Sequence, residues 1–287
     1  MILRCPVCST EKLSPFGDET WILDEVNYTL TQCNSCKSVF TDPLPNSATL
    51  DKLYKNQFDY RWYKDHVPAK LRDAKIRYDE YKELLGNSVL DYGGGLGYFS
   101  KICRDRGHQS LTYDPHSSDE VQQHKWDTIV ALHVLEHIND LDSIISEFRQ
   151  LINSGGKLII AVPNFDGLGY QEQGMRWVWA QPPLVHIFHF TASGLMSLLQ
   201  NHGFTNISIS YHERWDANTF CDINNSNRFR HYDGLWGKKP YNSIGVYRKI
   251  IAIINSYRRF SGLRKALKDK DNIGIKLAEL QIIATAP

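Results

Sequence analysis

Three glycines at alternate positions, Gly93, Gly95 and Gly97, follow Asp91 in the stretch VLDYGGGLGYFS, Val89 to Ser100. An apolar run ends at the acid, and an amphipathic segment begins directly after the last glycine. Such a strand, turn and helix start brings main-chain N–H groups against a ligand, because glycine has no Cβ to hold it away. Asp114 closes the next apolar run, SLTY, and a carboxylate there can accept both hydroxyls of a ribose. A nicotinamide-binding turn needs G-x-G-x-x-G, whereas Tyr98 stands at the last position; a P-loop needs Gly-Lys-Ser/Thr, which is absent. The pattern suits a ligand that has a ribose but no phosphates.

A second constellation is built from sulfur. Cys5-Pro-Val-Cys8 and Cys33-Asn-Ser-Cys36 flank the segment Thr20 to Thr31, TWILDEVNYTLT, which is rich in strand formers and reads as one or two short strands. Two such knuckles joined by a hairpin set four thiolates tetrahedrally, the closed site of a structural zinc. A redox pair would need a helix starting at its first cysteine, and neither pair has one. The ion is expected to fold a module too small to have its own core. Cys103 falls on the buried stripe of a helix and reads as a small core residue; Cys221 has no role that its surroundings suggest.

These groups need a scaffold, and the alternation after Ser88 supplies one. Strand Val89–Tyr92 leads to a helix over 96–106, with Leu96, Phe99, Ile102 and Cys103 on one face and Gly107 as its stop. Strands Ser110–Tyr113 and Thr128–Leu132 follow, then a helix carrying Leu141, Ile144, Ile145, Phe148, Leu151 and Ile152, closed by Asn153-Ser-Gly-Gly156. Strand Lys157–Val162 comes next, then a helix capped by Thr191 or Ser193 and ended by Gly203, the alternating Ile207, Ile209 and Tyr211, and a last strand over 280–286. Repetition of this kind predicts a doubly wound, mostly parallel sheet, α/β in class, with ligands beyond the C-terminal strand ends. The expected division is a zinc ribbon over 1–44, a helical linker or cap over 45–86, and the α/β domain over 87–287. In the cap, Leu71, Ala74, Tyr78, Tyr81 and Leu85 recur at helical spacing, after the aromatic Tyr54, Phe58, Tyr60, Trp62 and Tyr63. This set reads as packing or as a roof over substrate.

With 42% hydrophobic and 23% charged residues the chain is ordinary for a globular protein, and a net charge of +1 argues against a generally basic nucleic-acid binder. No apolar run reaches membrane-spanning length and the start MILRCPVC has no signal-peptide core, so a cytoplasmic location is expected.

The pieces DYGGGLG at 91–97, Asp114, WDTIVALHVLEHI at 126–138, LINSGGKLIIAVPN at 151–164 and HIFHFTASGLMSLLQNHGF at 186–204 together resemble the class I S-adenosylmethionine-dependent methyltransferases. The N-terminal part is similar to the cysteine-ribbon extension of methyltransferases in sugar and surface-polysaccharide biosynthesis. The resemblance implies a Rossmann-like sheet of seven strands with an antiparallel last strand. It implies that Gly93, Gly95 and Gly97 lie against the methionine and ribose of the cofactor, that Asp91 orients the turn, and that Asp114 takes the ribose hydroxyls. Leu132, His133 and Val134 are implied to line the pocket. The stretch between Asp114 and Trp126 is short for this family, which implies that a helix is missing there.

Methyl transfer from a sulfonium is an in-line displacement whose main demand is positioning. A hydroxyl acceptor must also lose its proton, for which histidine is suited. The candidates are His186, His133 and His189, with His137 of the VLEHI phrase read more readily as a structural group. Related sugar C-methyltransferases carry a Glu-His pair where this chain has Val185-His186; that departure favours O-methylation, with His186 as base. Arg176, Trp177 and Trp179 in the loop Phe165 to Pro183 could hold a phosphorylated or sugar-bearing acceptor, or anchor a surface loop. The segment 241–270, in which basic residues accompany a run of isoleucines, reads either as a contact with anionic lipid at the inner face of the membrane or as a solvated helix. The expected activity is O-methylation of a nucleotide- or lipid-linked sugar or glycan precursor. The alternatives are a quinone or other aromatic acceptor, sugar C-methylation, and an RNA-modifying or RNA-binding protein that uses its ribbon.

Overall fold

The ribbon sheet takes its outermost strand from a segment far along the chain, beside the main sheet's helices. In the computed structural model, residues 2–18, 20–57, 67–114, 124–177, 179–180, 184–212 and 278–287 are described. The first strands are β1 (Leu13–Pro15), β2 (Trp21–Leu23), β3 (Val26–Cys33) and β4 (Val39–Asp42). Strands β2 and β3 form a hairpin whose connecting residues, Asp24 and Glu25, both have positive φ, 47° and 65°, the mirror-image turn that matches strand twist. The edge of β4 is continued by β9 (Phe188–His189), with Val39 opposite His189 and Phe40 opposite Phe188. Around it Thr41 N–H donates to the Ile187 carbonyl at 3.0 Å, and Ser193 Oγ donates to the Cys36 carbonyl at 3.0 Å. Phe40, Cys33 and Cys36 share one buried cluster with Phe188, Phe190 and Leu195. A module this small has no separate core, so it borrows one.

Helices α1 (Ser47–Gln57) and α2 (Val67–Tyr81) follow, then β5 (Ser88–Tyr92), α3 (Tyr98–Asp105), β6 (Gln109–Tyr113), β7 (Trp126–Leu132), α4 (Leu141–Leu151), β8 (Ile152–Pro163) and α5 (Leu168–Gln173). After β9 come α6 (Ala192–Asn201), β10 (Thr205–His212) and β11 (Glu279–Thr285). The main sheet runs β10-β11-β8-β7-β5-β6, six strands among the described residues where the resemblance implied seven. The pairs β6–β5, β5–β7 and β7–β8 are parallel, and β11 pairs antiparallel with both β8 and β10. Strand order reverses at β5, which places the switch point at the end carrying the glycine turn.

Side-chain caps set the starts of two helices. Thr191 Oγ1 accepts from Gly194 N–H at 3.1 Å and starts α6, and Asp140 Oδ1 accepts from Ser143 N–H at 3.0 Å and starts α4. Leu96 corrects the expectation for the third helix: it is 39% exposed, in the turn before Tyr98. Cys103 is fully buried, and α2 turns Ala74, Tyr78 and Tyr81 onto the same cluster, with Val89, Phe99 and Val130. This part of the cap is therefore packing. Phe58, Tyr60, Trp62, Tyr63, Cys221 and the basic segment 241–270 lie outside the described residues.

Candidate active site and metal centre

The turn after β5 is shaped by what sits beneath each glycine. Gly93, Gly95 and Gly97 have φ of 71°, 55° and 73°, left-handed backbone that favours glycine. A Cβ on Gly93 would stand 2.4 Å from Val134 Cγ2, and one on Gly97 would stand 2.6 Å from Thr112 Oγ1. Gly94, which the alternating pattern passes over, is the most constrained: its Cβ would lie 2.3 Å from Asp91 Oδ2. Gly95 differs, because the sole neighbour within 4 Å of its Cβ would be Asp114 Oδ2, at 3.9 Å. Three glycines admit protein, and Gly95 faces open space where a ligand can approach the main chain.

Two carboxylates hold this turn. Asp91, 2% exposed, accepts from Ser100 N–H at 3.3 Å, and burial, opposed by that bond, pushes it up to about 7. Asp114 Oδ2 accepts from Gly95 N–H at 3.0 Å, at the end of β6. Leu132 is partly buried at the end of β7, and Val134 is buried under Gly93. Val134 therefore supports the turn from below.

His133 is the first residue beyond β7, with a φ of 57°, unusual for a residue with a Cβ. Its Nδ1 bonds Glu136 Oε1 at 3.2 Å and its Nε2 bonds Glu279 Oε2 at 2.9 Å, while the Trp179 ring stacks on it at 5.4 Å and 20°. Burial opposes the charged ring, but the two carboxylates outweigh it and lift His133 to about 9. With both nitrogens donating to carboxylates, the ring has no lone pair to take a proton. Arg77 completes the group: Nη2 donates to Glu279 Oε2 at 2.7 Å and Nη1 to Oε1 at 3.3 Å. Nothing in the sequence pairs Arg77 with Glu279; they stand 202 residues apart.

The other histidines are held neutral. His186 is 5% exposed, with Nδ1 at 2.9 Å from the Trp179 carbonyl. Burial, then the neighbouring His137 and His189, hold it well below the usual histidine range. His137 Nδ1 is 2.7 Å from the Val185 carbonyl, and its ring meets His186 edge-on at 4.7 Å. Burial brings His189 down to about 3; its ring stacks on Phe165 at 4.9 Å and lies 6.4 Å from His186. Of the two readings of Trp177, its full burial against Gly169 and Ala180 agrees with the loop anchor. The Arg176 side chain is not among those described.

The four ribbon sulfurs approach one another as metal ligands do. Cys5 and Cys36 Sγ are 3.9 Å apart, Cys8 and Cys33 Sγ are 3.6 Å apart, and all four lie within 4.8 Å. Zinc–sulfur bonds of about 2.3 Å in a tetrahedron require sulfurs about 3.8 Å apart. Val7 N–H points at Cys5 Sγ, and Ser35 and Cys36 N–H point at Cys33 Sγ, each at 3.4 Å, bonds that favour thiolates. The donor set fits a metal ion.

The methyltransferase-domain family matches residues 63–209, about half of the chain, across the glycine turn, the β7 loop and α6. The chain belongs to that family. This S-adenosylmethionine-dependent methyltransferase also resembles solved structures at low identity. One is an S-adenosylmethionine-dependent methyltransferase of Thermotoga maritima, 13% identical, covering 83% of this chain and 100% of that one, with a TM-score of 0.43. A cyclopropane-fatty-acyl-phospholipid synthase-like protein of Lactobacillus casei is 12% identical, with coverages of 84% and 100% and a TM-score of 0.45. The phosphoethanolamine N-methyltransferase 2 of Haemonchus contortus is 15% identical, with coverages of 71% and 49% and a TM-score of 0.37. None of these scores bears on the acceptor. No curated protein sequence matches the methyltransferase significantly. Among the described residues no helix is long and apolar enough to cross a membrane.

Proposed function

We propose that the methyltransferase methylates a hydroxyl group of a sugar or glycan precursor, nucleotide- or lipid-linked, with His186 acting on the acceptor. The observation that carries this reading is the bond from His186 to the Trp179 carbonyl. A carbonyl only accepts, so Nδ1 bears the hydrogen and Nε2 presents a lone pair from a buried, neutral ring. Loss of the hydroxyl proton depends on that lone pair. The carboxylate that would accompany His186 in a carbon methyltransferase is replaced by Val185, which favours oxygen as the methylated atom.

When bound, S-adenosylmethionine supplies a methyl group on a sulfonium, open to in-line attack. Gly95 offers main chain to it, Asp114 holds the ribose hydroxyls, and Asp91 keeps the turn in shape through Ser100 and the space under Gly94. Leu132 flanks the pocket. His133 serves as a fixed cation between Glu136 and Glu279. The ion of Cys5, Cys8, Cys33 and Cys36 is zinc with a structural task, because four thiolates leave no open position. On this reading the ribbon spans 1–44, the cap 45–86 and the catalytic domain 87–287, and the basic segment 241–270 offers a peripheral contact to an anionic membrane from the cytoplasmic side.

The test is transfer of labelled methyl to nucleotide sugars, lipid-linked sugars, quinone precursors and RNA. Wild type is expected to label a sugar hydroxyl. His186→Ala should lose about 10²- to 10⁴-fold in turnover while still binding S-adenosylhomocysteine, and Asp114→Ala should lose that binding. Labelling of carbon or nitrogen, or full activity in His186→Ala, would overturn the reading.

A further inference from the structure

Beyond β7, on the same end of the sheet as the glycine turn, Glu136, His137 and His186 each present one ligand-type atom, and the three lie within 4.8 Å of one another. We propose that this group is a second metal site, for a divalent first-row transition ion such as Zn²⁺, separate from the four-cysteine site. Three features of the group support it.

The two histidines are set up alike. His137 Nδ1 bonds the Val185 carbonyl at 2.7 Å, and His186 Nδ1 bonds the Trp179 carbonyl at 2.9 Å. Because a carbonyl is an acceptor only, each neutral ring carries its hydrogen on Nδ1 and its lone pair on Nε2. That is the outer-shell arrangement by which proteins orient a ligating imidazole. The two carbonyls come from one segment, the approach to β9, so a single loop fixes both rings.

The carboxylate points the same way. Glu136 is 1% exposed; Oε1 is taken by His133, and Oε2 is buried with no hydrogen-bond partner among the described residues. An ionised oxygen left in that state is costly. A cation between Oε2 and the imidazoles would offset the cost, and His133, itself pinned by Glu279, keeps the carboxylate from turning away.

The donor set also indicates which ion. Two imidazoles and one carboxylate suit zinc or iron rather than magnesium or calcium, which prefer oxygen. Three protein ligands leave a coordination position open, the mark of a catalytic rather than a structural site.

The role of the ion rests on the hydroxyl-acceptor reading, although the site itself does not. The acceptor oxygen takes the open position, its O–H bond is polarised, and its proton passes to solvent. The oxygen then forms a bond to the methyl carbon as the carbon–sulfur bond breaks, and that electron pair stays on sulfur as a neutral thioether. His186 thus acts on the hydroxyl through the ion.

Metal-stripped full-length protein titrated with Co²⁺ should show two steps. One brings the intense charge-transfer band of a cysteine-ligated ion; the other brings visible bands with no added charge-transfer intensity. Elemental analysis after Zn²⁺ loading and dialysis should find one equivalent more in wild type than in His186→Ala or Glu136→Gln, both checked for retained S-adenosylhomocysteine binding. A single step with only the sulfur band in wild type would overturn the site, whatever the variants do. Two steps with labelling confined to carbon or nitrogen would uphold the site and sink the hydroxyl reading. One step with sugar hydroxyl labelling would do the reverse.

Discussion

At the scale of single residues, the turn after β5 separates glycines that make room for protein from one, Gly95, that faces open space. Gly94→Ala would drive a methyl group to 2.3 Å from the Asp91 carboxylate, an overpacking that costs about 1–3 kcal/mol. Gly95→Ala meets open space, so its fold penalty is limited to left-handed backbone strain of roughly 1–2 kcal/mol. Its Cβ would nevertheless occupy the approach to the main chain. Thermal melts and calorimetry with S-adenosylhomocysteine should therefore diverge: Gly94→Ala loses stability as well as affinity, and Gly95→Ala loses mainly affinity. A second residue-scale prediction concerns pH. Burial raises Asp91 from its unfolded value near 3.8 to about 7. Its contribution to stability is thus fully present below the lower value and is lost as pH rises through the higher one. The stability of Asp91→Asn relative to wild type should therefore climb between about pH 4 and pH 8, and denaturant unfolding of the ligand-free pair would measure it. Much of this site was legible. Gly93, Gly95, Gly97, Asp91 and Asp114 announce themselves by spacing. Gly94 did not, because its requirement comes from a side chain folded back beneath it.

At the scale of elements, the order of strands and helices in the sheet followed the pattern, while boundaries shifted: α3 starts at Tyr98 rather than Leu96, and Ile152 with 153–156 belongs to β8 rather than to the end of α4. The β2–β3 hairpin falls in the segment read as one or two short strands, although its turn, Asp24-Glu25, lacks the glycine that usually marks one. Strand β9 has two residues, and no periodicity can reveal two residues. It is nonetheless the element that stitches the ribbon to the site, since His186 precedes it and His189 ends it. Loss of an ion from the four-cysteine site should then be felt at β9, distant in sequence but packed against the same cluster. Cys33→Ser, or prolonged chelation, is expected to lower the melting temperature strongly, because metal binding in such a module is folding free energy. Hydrogen exchange should accelerate at Phe188 and His189 together with β4, while amides of β5 and β7 stay protected. Uniform loss across both sheets, or no change at β9, would contradict a local coupling through this pair of strands.

At the scale of the whole molecule, a chain of charges with Arg77, Glu136 and Glu279 buried at its centre ties distant parts of the sequence together. Asp73 and Arg77 lie on α2, Glu279 opens β11, and His133 with Glu136 follows β7. Arg77 is 5% exposed and Glu279 2%, so each charge is sustained by its partners rather than by water. Hydropathy identifies α2, β7 and β11 one at a time, but contact between residues 202 apart leaves no trace in local pattern. A buried pair need not be more stable than an apolar replacement, whereas removal of one partner leaves a charge without compensation. Glu279→Ala takes the buried carboxylate from both the Arg77 guanidinium, which keeps only the half-exposed Asp73, and one nitrogen of the His133 ring; a loss of about 3–5 kcal/mol is expected. Arg77→Met should cost less, because His133 still faces the carboxylate and the methionine fills the space beside Tyr81. The double variant Arg77→Met, Glu279→Ala should lose less than the sum of the two single losses. Denaturant midpoints of the wild type and these three variants decide the matter. A double variant as unstable as the sum of its parts would mean that the two residues act independently, and that α2 and β11 are held by apolar packing alone.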